Sequence, residues 1–201
     1  MVFSSSLTTH PRCCLTTSFD TGTRSTVMVA GQVGIVLNAA LDRYRHQKKE
    51  VVLLKPKSEG RYSNESVITH NGASWKCHRV TTGDDIVAAS EGVDIVAVDE
   101  VFMIPGAARA LTRLFLQGKT VLVSSLQLSY EPKPLPEINS LMPFATRVEI
   151  CPAVCSECEN DAFYTRRKKS KSNKQIEVGG AEEYEPLCYG HYREYWKSEV
   201  F

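Results

Sequence analysis

Apolar residues recur along this chain in two rhythms, and the switches between them mark its elements. From Gly34, GIVLNAALDRYRHQKK puts Ile35, Leu37, Leu41 and Tyr44 on one stripe at helical spacing, with Lys48 and Lys49 at its C-terminal end. That pattern predicts a helix over 34–49. EVVLLKP follows as a short buried strand stopped by Pro56. SEGRYSNESVITHNGASWKC is polar and rich in turn formers, which predicts a loop with a short strand at 66–69. VDIVAVDE is the clearest buried strand, and it ends in Asp99 and Glu100. IPGAARALTRLFLQG reads as a helix. Pro105 suits its first turn, Gly118 its C-cap, and Ala108, Leu111, Leu114 and Phe115 share one face.

KTVLVSSL is another buried strand, LSYEPKPLPEI a proline-rich loop leaving it, and ATRVEICPAV is strand-like. After Cys151 the segments shorten, and YGHYREYWKSEV reads as a closing helix. No internal repeat is visible. The order is helix, strand, strand, helix, strand, then a small cysteine-rich lobe. This predicts an α/β fold: a parallel sheet with helices on both faces, plus a small zinc-ribbon-like C-terminal lobe. The expected divisions are a leader at 1–26, an α/β nucleotide-binding domain at 27–150 and the lobe at 151–201.

Composition narrows this picture. A chain of 201 residues suffices for one α/β core with a satellite. Its formal charge of +1 gives no global field that would favour nucleic acid or a membrane surface. No apolar run approaches the ~18 residues of a spanning helix. The leader is dense in Ser and Thr with few acids, a composition open to disorder or to a transit peptide. It has no apolar stretch of the secretory kind, so the expected compartment is cytoplasmic.

Cysteine use points to a metal. Four of the seven cysteines lie in 151–188. Cys155 and Cys158 form C-x-x-C, and Cys188 and His191 form C-x-x-H about thirty residues later. Three thiolates and one imidazole suit tetrahedral Zn²⁺ in a closed, structural site. Cys151 is a spare sulfur nearby. Between the knuckles, RRKKSKSNK reads as a flexible basic loop, open to a role as a solvated hairpin tip or as a lid over phosphates. VGGAEEY offers a Gly-Gly turn that lets backbone approach a ligand.

Two further stretches carry chemistry. A buried strand ending in Asp-Glu puts two carboxylates at a sheet rim. There one acid can hold Mg²⁺ and its neighbour can accept a proton from a nucleophile. AGQVG, at the start of the first helix, has glycines where a phosphate loop needs close backbone approach. Gln32 and Val33 stand where such a loop places its lysine and hydroxyl residue.

Taken in order, VDE, GKTVLVSSLQLSYEPKPL, EGRYS…TH and AVCSEC…AFYTRR…VGGAEEY…LCYGHY resemble the thymidine kinase family of the cytosolic, viral and bacterial type, over roughly 27–195. The resemblance implies a P-loop-type sheet and ATP-dependent phosphorylation of the thymidine 5′-hydroxyl, giving the monophosphate for deoxynucleotide salvage. Glu100 would be the base and Asp99 would sit by Mg²⁺. Ala30, Gly31, Gln32, Val33, Gly34 and Arg61 would line the phosphates. Met28, Met103, Leu126 and Tyr130 would surround the base, with Met103 replacing a family phenylalanine. Backbone at Val178 and Gly179 would hold the thymine edge, with Tyr184 alongside.

ATP, Mg²⁺ and structural Zn²⁺ are the expected cofactors, thymidine and ATP the partners, and a homo-tetramer or dimer the assembly. The departures are Gln32 and Val33, together with TGTRSTV, which lacks the apolar run of a first strand. They leave open an alternative: a weak or inactive member that binds nucleoside or joins mixed oligomers without ATP turnover.

Overall fold

The computed structural model describes residues 26–31, 34–58, 66–68, 74–168 and 183–200. Its centre is a seven-stranded sheet. In chain order the strands are β1 (Thr26–Gly31), β2 (Val51–Pro56), β3 (Ser66–Ile68), β4 (Ser74–Val80), β5 (Ile95–Val98), β6 (Thr120–Ser125) and β7 (Arg147–Cys151). Across the sheet they run β3-β4-β2-β5-β6-β1-β7. Every pair is parallel except β3 with β4.

Helices cover both faces, as the pattern of apolar residues predicts. Helix α1 (Gly34–His46) packs Leu37 and Leu41 over Leu53, Ile95, Ala97 and Leu122. Helices α2 (Gly83–Ala89), α3 (Ala107–Leu116) and α4 (Pro136–Leu141) cover the other face. There Ile86, Leu111, Leu114 and Ile138 join Val52, Leu54, Val96, Val98, Val121 and Val123. Successive strand residues alternate between these two clusters, so central strands buried on both faces need the continuous apolar runs seen in the sequence.

The structure corrects the sequence reading in several places. The order opens with a strand: β1 lies between β6 and β7, bonded to both. Only Thr26 and Val27 of TGTRSTV belong to it; the apolar run VMVA that follows forms the strand, and residues 21–25 lie outside the described residues. The stretch read as loop ends at Cys77 and so contains the first half of β4, whose Trp75 Nε1 donates to Asp42 Oδ1 at 3.0 Å and ties it to α1. Helix α2 was absent from the sequence reading although it carries a capping box. The Thr82 hydroxyl accepts from Asp85 N while Asp85 Oδ2 accepts from Thr82 N. The Asp85 carboxyl is held below its usual range by backbone N–H groups of Thr81 and Thr82.

Pro105 precedes α3, whose N-cap is Gly106 at φ 77°. Gly118, at φ 93°, follows the Gln117 C-cap. Gly106 has no side chain to cap with, and Glu137 from α4 supplies one. Its two carboxylate oxygens accept from Gly106 N at 2.8 Å and Ala108 N at 2.7 Å. The proline-rich loop therefore ends in a helix that clamps α3.

Among its described residues the lobe holds two antiparallel strand pairs and a helix. Strand β8 (Ala153–Val154) pairs with β9 (Asp161–Ala162), and β10 (Tyr164–Arg167) with β11 (Tyr184–Leu187). Helix α5 (Tyr189–Val200) closes it. Its core is small: Cys155, Ala162, Leu187 and Tyr192, with Tyr192 stacked on Tyr164 at 4.6 Å.

Gly83 is where α2 and α3 touch. Its N–H donates to Pro105 O at 2.9 Å, and a Cβ built there would lie 2.2 Å from Gly106 O. Backbone cannot yield as a side-chain tip can. Gly83→Ala is therefore expected to destabilise the fold by about 1–3 kcal/mol, measured as a lower midpoint in urea unfolding. An unchanged midpoint would show that the α2–α3 contact is loose.

Candidate functional site

The parallel strands β2, β5, β6, β1 and β7 all end at one rim of the sheet, and Ala30, Gly31, Asp99, Glu100 and Leu126 lie at or just past these strand ends. Asp99 and Glu100 follow the last residue of β5. Asp99 N donates to Leu54 O at 2.8 Å, so the ladder continues through the acid. The Asp99 carboxylate is fixed at Oδ1, which accepts from the Ser124 hydroxyl of β6 and, at 3.1 Å, from Glu100 N. Hydroxyl and carboxylate oxygens are hard donors of the kind Mg²⁺ takes.

Glu100 is held in the left-handed region at φ 50°, ψ 44°, a conformation costing a non-glycine residue roughly 1–2 kcal/mol. The turn Val101–Met103 that follows locks it, with Met103 N donating to Glu100 O at 3.0 Å. A strained, half-buried acid at a strand end fits a site that needs its carboxylate aimed.

Met28, Ala30 and Gly31 lie on β1, where Met28 pairs with Val123 and Val148. Gly34 opens α1. A helix start at the end of a central strand offers backbone N–H groups to an anion. Gln32, Val33, Arg61, Val178 and Gly179 lie outside the described residues. Leu126, next after β6, is 38% exposed at the same rim.

Tyr130, in the loop after β6, meets Tyr184 of the lobe with ring centroids 6.0 Å apart. The Arg167 guanidinium sits 5.4 Å from the Tyr130 ring and 3.8 Å from Glu183. Gln127 Nε2 adds a bond to Phe163 O at 3.3 Å. Tyr130, Tyr184 and Arg167 thus join lobe to sheet beside the rim.

Here the sequence reading needs correcting. Arg166 and Arg167 belong to β10, not to a basic loop. Arg166 pairs with Glu157 at 2.7 Å and also with Glu185. The strand-favouring Tyr164 and Thr165 just before them in YTRR were the available signal. Ser124 and Arg167 were both missed as site residues.

The four metal-binding candidates do come together, with all ligand atoms within 4.8 Å of one another. Cys155 and Cys158 sit in the turn between β8 and β9, where Cys155 N donates to Asn160 O at 2.8 Å. Cys188 immediately precedes α5 and His191 lies in its first turn. Cys158 Sγ is 3.7 Å from Cys188 Sγ. His191 Nδ1 is 3.5 Å from Cys155 Sγ and 3.3 Å from Cys188 Sγ. A tetrahedral zinc with bonds of ~2.3 Å to sulfur and ~2.0 Å to nitrogen has S···S edges of ~3.8 Å and S···N edges of ~3.5 Å. The cluster has the size of that tetrahedron, so it can hold zinc with every position filled by protein.

Burial pushes the Cys155 thiol up, but backbone amides led by that of Cys188, together with the His191 ring, outweigh it and bring it to about 6. The His191 backbone amide lowers Cys188. The amide at Asn160 draws Cys158 down, yet burial and the neighbouring thiols of Cys188 and Cys155 leave it raised. Hydrogen bonds to Cys155 and Cys188 raise His191. Two of the three sulfurs are therefore disposed toward thiolate, the form a metal needs.

Fold and site together define a class: a parallel α/β domain with strand-end acids, joined to a lobe stapled by a Cys₃His cluster. A family model described as thymidine kinase matches residues 24–192, and the chain belongs to that family. It is similar to the thymidine kinase of Myxoma virus (strain Lausanne), 28% identical over 146 residues, covering 73% of this chain and 81% of that protein. It is also similar to the thymidine kinase of Thermococcus kodakarensis, 30% identical over 164 residues, covering 76% and 83%. Among solved structures, a DNA replication initiation factor aligns at 13% identity with a TM-score of 0.36, over 64% of this chain and 40% of that one. Among the described residues, no helix is long and apolar enough to cross a membrane.

The cluster yields a direct test. Purified protein should carry one zinc per chain by elemental analysis, and Cys188→Ala should lose it and lower the melting temperature. Protons compete for the ligands, so extraction by a chelator should accelerate as pH falls through about 6, where the metal-free Cys155 thiolate protonates. Full stability with no zinc bound would exclude a structural metal.

Proposed function

We propose that this protein transfers the γ-phosphate of ATP to the 5′-hydroxyl of thymidine, giving thymidine monophosphate and ADP. One observation carries the reading: Asp99 and Glu100 end the central strand β5, with Asp99 fixed by Ser124 and Glu100 held in a strained backbone conformation. In the step itself the 5′-oxygen attacks the γ-phosphorus, Glu100 takes the hydroxyl proton, and the β–γ bridging oxygen leaves with ADP. Mg²⁺, held beside Asp99, would neutralise charge on the phosphates. Backbone at Ala30, Gly31, Gln32, Val33 and Gly34 would cradle them, with Arg61 nearby.

Thymidine would lie between Met28, Met103, Leu126 and Tyr130, with backbone at Val178 and Gly179 reading the base edge and Tyr184 closing over it. The Tyr130–Tyr184 contact supports this arrangement, since it brings together aromatic faces from the loop after β6 and from the lobe. Family membership supports the choice of nucleoside and of ATP. We take the active unit to be a homo-tetramer or dimer working in the cytoplasm. Gln32 and Val33 remove a lysine charge and a metal-binding hydroxyl from the loop, so slow turnover is expected.

The test is thymidine monophosphate formation from ATP, Mg²⁺ and thymidine. Glu100→Gln should lower kcat by ~10²–10⁴ and leave the thymidine dissociation constant within a few-fold. Equal turnover in both proteins would remove Glu100 as the base, and no thymidine binding by either would sink the nucleoside reading.

A further inference from the structure

Two adjacent arginines stand on β10, and strand alternation turns Arg166 and Arg167 to opposite faces of the β10–β11 pair. Arg166 serves the side of the metal cluster. It pairs with Glu157, which lies between Cys155 and Cys158, and with Glu185, and its guanidinium lies over the Tyr195 ring of α5. Arg167 serves the other side, where its contacts are with the loop after β6.

Arg167 stands directly opposite Tyr184 in the ladder, so the two side chains leave the same face. The Tyr130 ring meets both. Its centroid is 5.4 Å from the Arg167 guanidinium carbon, within reach of a cation–π contact, and 6.0 Å from the Tyr184 centroid, within reach of an aromatic pair. The Glu183 carboxylate, 3.8 Å from the guanidinium, balances the charge of a side chain that is only 8% exposed.

The backbone around Tyr130 is already fixed. Leu128 bridges to Pro134, and Ser129 N donates to Lys133 O at 3.0 Å. What remains free in such a turn is the rotation of the tyrosine side chain. A ring held by a guanidinium and by a second ring has lost that freedom before a ligand arrives, and preorganisation of this kind lowers the cost of binding.

We propose that Arg167 is a positioning residue for the nucleoside. It fixes the plane of the Tyr130 ring against Tyr184, so that thymidine meets a preset aromatic surface. It acts through Tyr130 and takes no part in phosphoryl transfer. This rests on reading Tyr130 and Tyr184 as nucleoside residues.

Equilibrium binding of radiolabelled thymidine reads the effect without turnover. Arg167→Gln should weaken thymidine about tenfold and leave the affinity for a fluorescent ATP analogue unchanged. Arg167→Lys keeps the charge beside Glu183 but lacks the guanidinium plane, so it should bind thymidine weakly too, and it serves if Arg167→Gln does not fold. On a Tyr130→Leu background, Arg167→Gln should cost less than about twofold more, because the ring it positions is gone. Arg166→Gln separates positioning from a general loosening of the strand pair. It removes two ion pairs and should lower the melting temperature, yet leave thymidine affinity within about twofold.

Parent-like thymidine binding by either Arg167 variant overturns the proposal. So does an equal loss in Arg166→Gln, or a full loss on the Tyr130→Leu background. Each of these results requires a parent chain that binds thymidine, and so leaves the nucleoside reading standing. A parent that binds none overturns both.

Discussion

Everything in this molecule depends on the parallel register that brings the ends of β2, β5, β6 and β1 to one rim. Parallel ladders fix which residue stands beside which, and a slip of one residue would turn every side chain to the opposite face. The two apolar clusters prevent that slip, because each strand must feed alternate residues to α1 on one side and to α2 and α3 on the other. The rim residues inherit their places from this constraint. Asp99 reaches Ser124 because Val98 lies beside Val123.

The lobe obeys a different logic. Among the described residues the lobe buries only four, too few for an independent core, and a metal staple can supply what apolar area cannot. The two knuckles tie the turn between β8 and β9 to the start of α5, and that helix packs Tyr192 on Tyr164 of β10. The same strand ends in Arg167 against Tyr130. Cluster, helix, strand and tyrosine thus form one continuous path from the lobe toward Tyr130. Loss of a metal held at the cluster would act on the Tyr130–Tyr184 contact through it.

Much of this was legible in the sequence. The continuous apolar runs of VVLL, IVAV and VLV could only be strands buried on both faces, and the acids after IVAV marked the rim. The cysteine and histidine spacing marked the Cys₃His cluster outright. What escaped notice did so for physical reasons. Strand β1, TVMVAG, has an apolar run of its own, but it begins at Thr26 and so only its first two residues fall in TGTRSTV. Strand β4, SWKCHRV, is polar and lies next to the antiparallel β3 near one edge, so it lacks the signature of its central partners. Helix α2 spans Gly83–Ala89, too short for a clear helical rhythm, although its Thr82–Asp85 box was readable. Lys55, only 1% exposed, was passed over as the end of a strand. A charged residue after four apolar ones, before a proline, is ordinarily solvated.

The rim retains its acids, while the loop sequence has lost its lysine and hydroxyl. On the proposed kinase reading, phosphate handling rather than the nucleoside side is expected to limit turnover. The most direct measurement is the rate of thymidine monophosphate formation by the chain and by a variant carrying Gln32→Lys and Val33→Ser. A lysine charge returned to a phosphoryl-transfer site is worth on the order of 3–4 kcal/mol by analogy with a single oxyanion contact. The expected result is a rise in kcat of ~10²–10³ with the thymidine KM unchanged. Equal rates in the two proteins would contradict it, and would place the limiting step somewhere other than the phosphate loop.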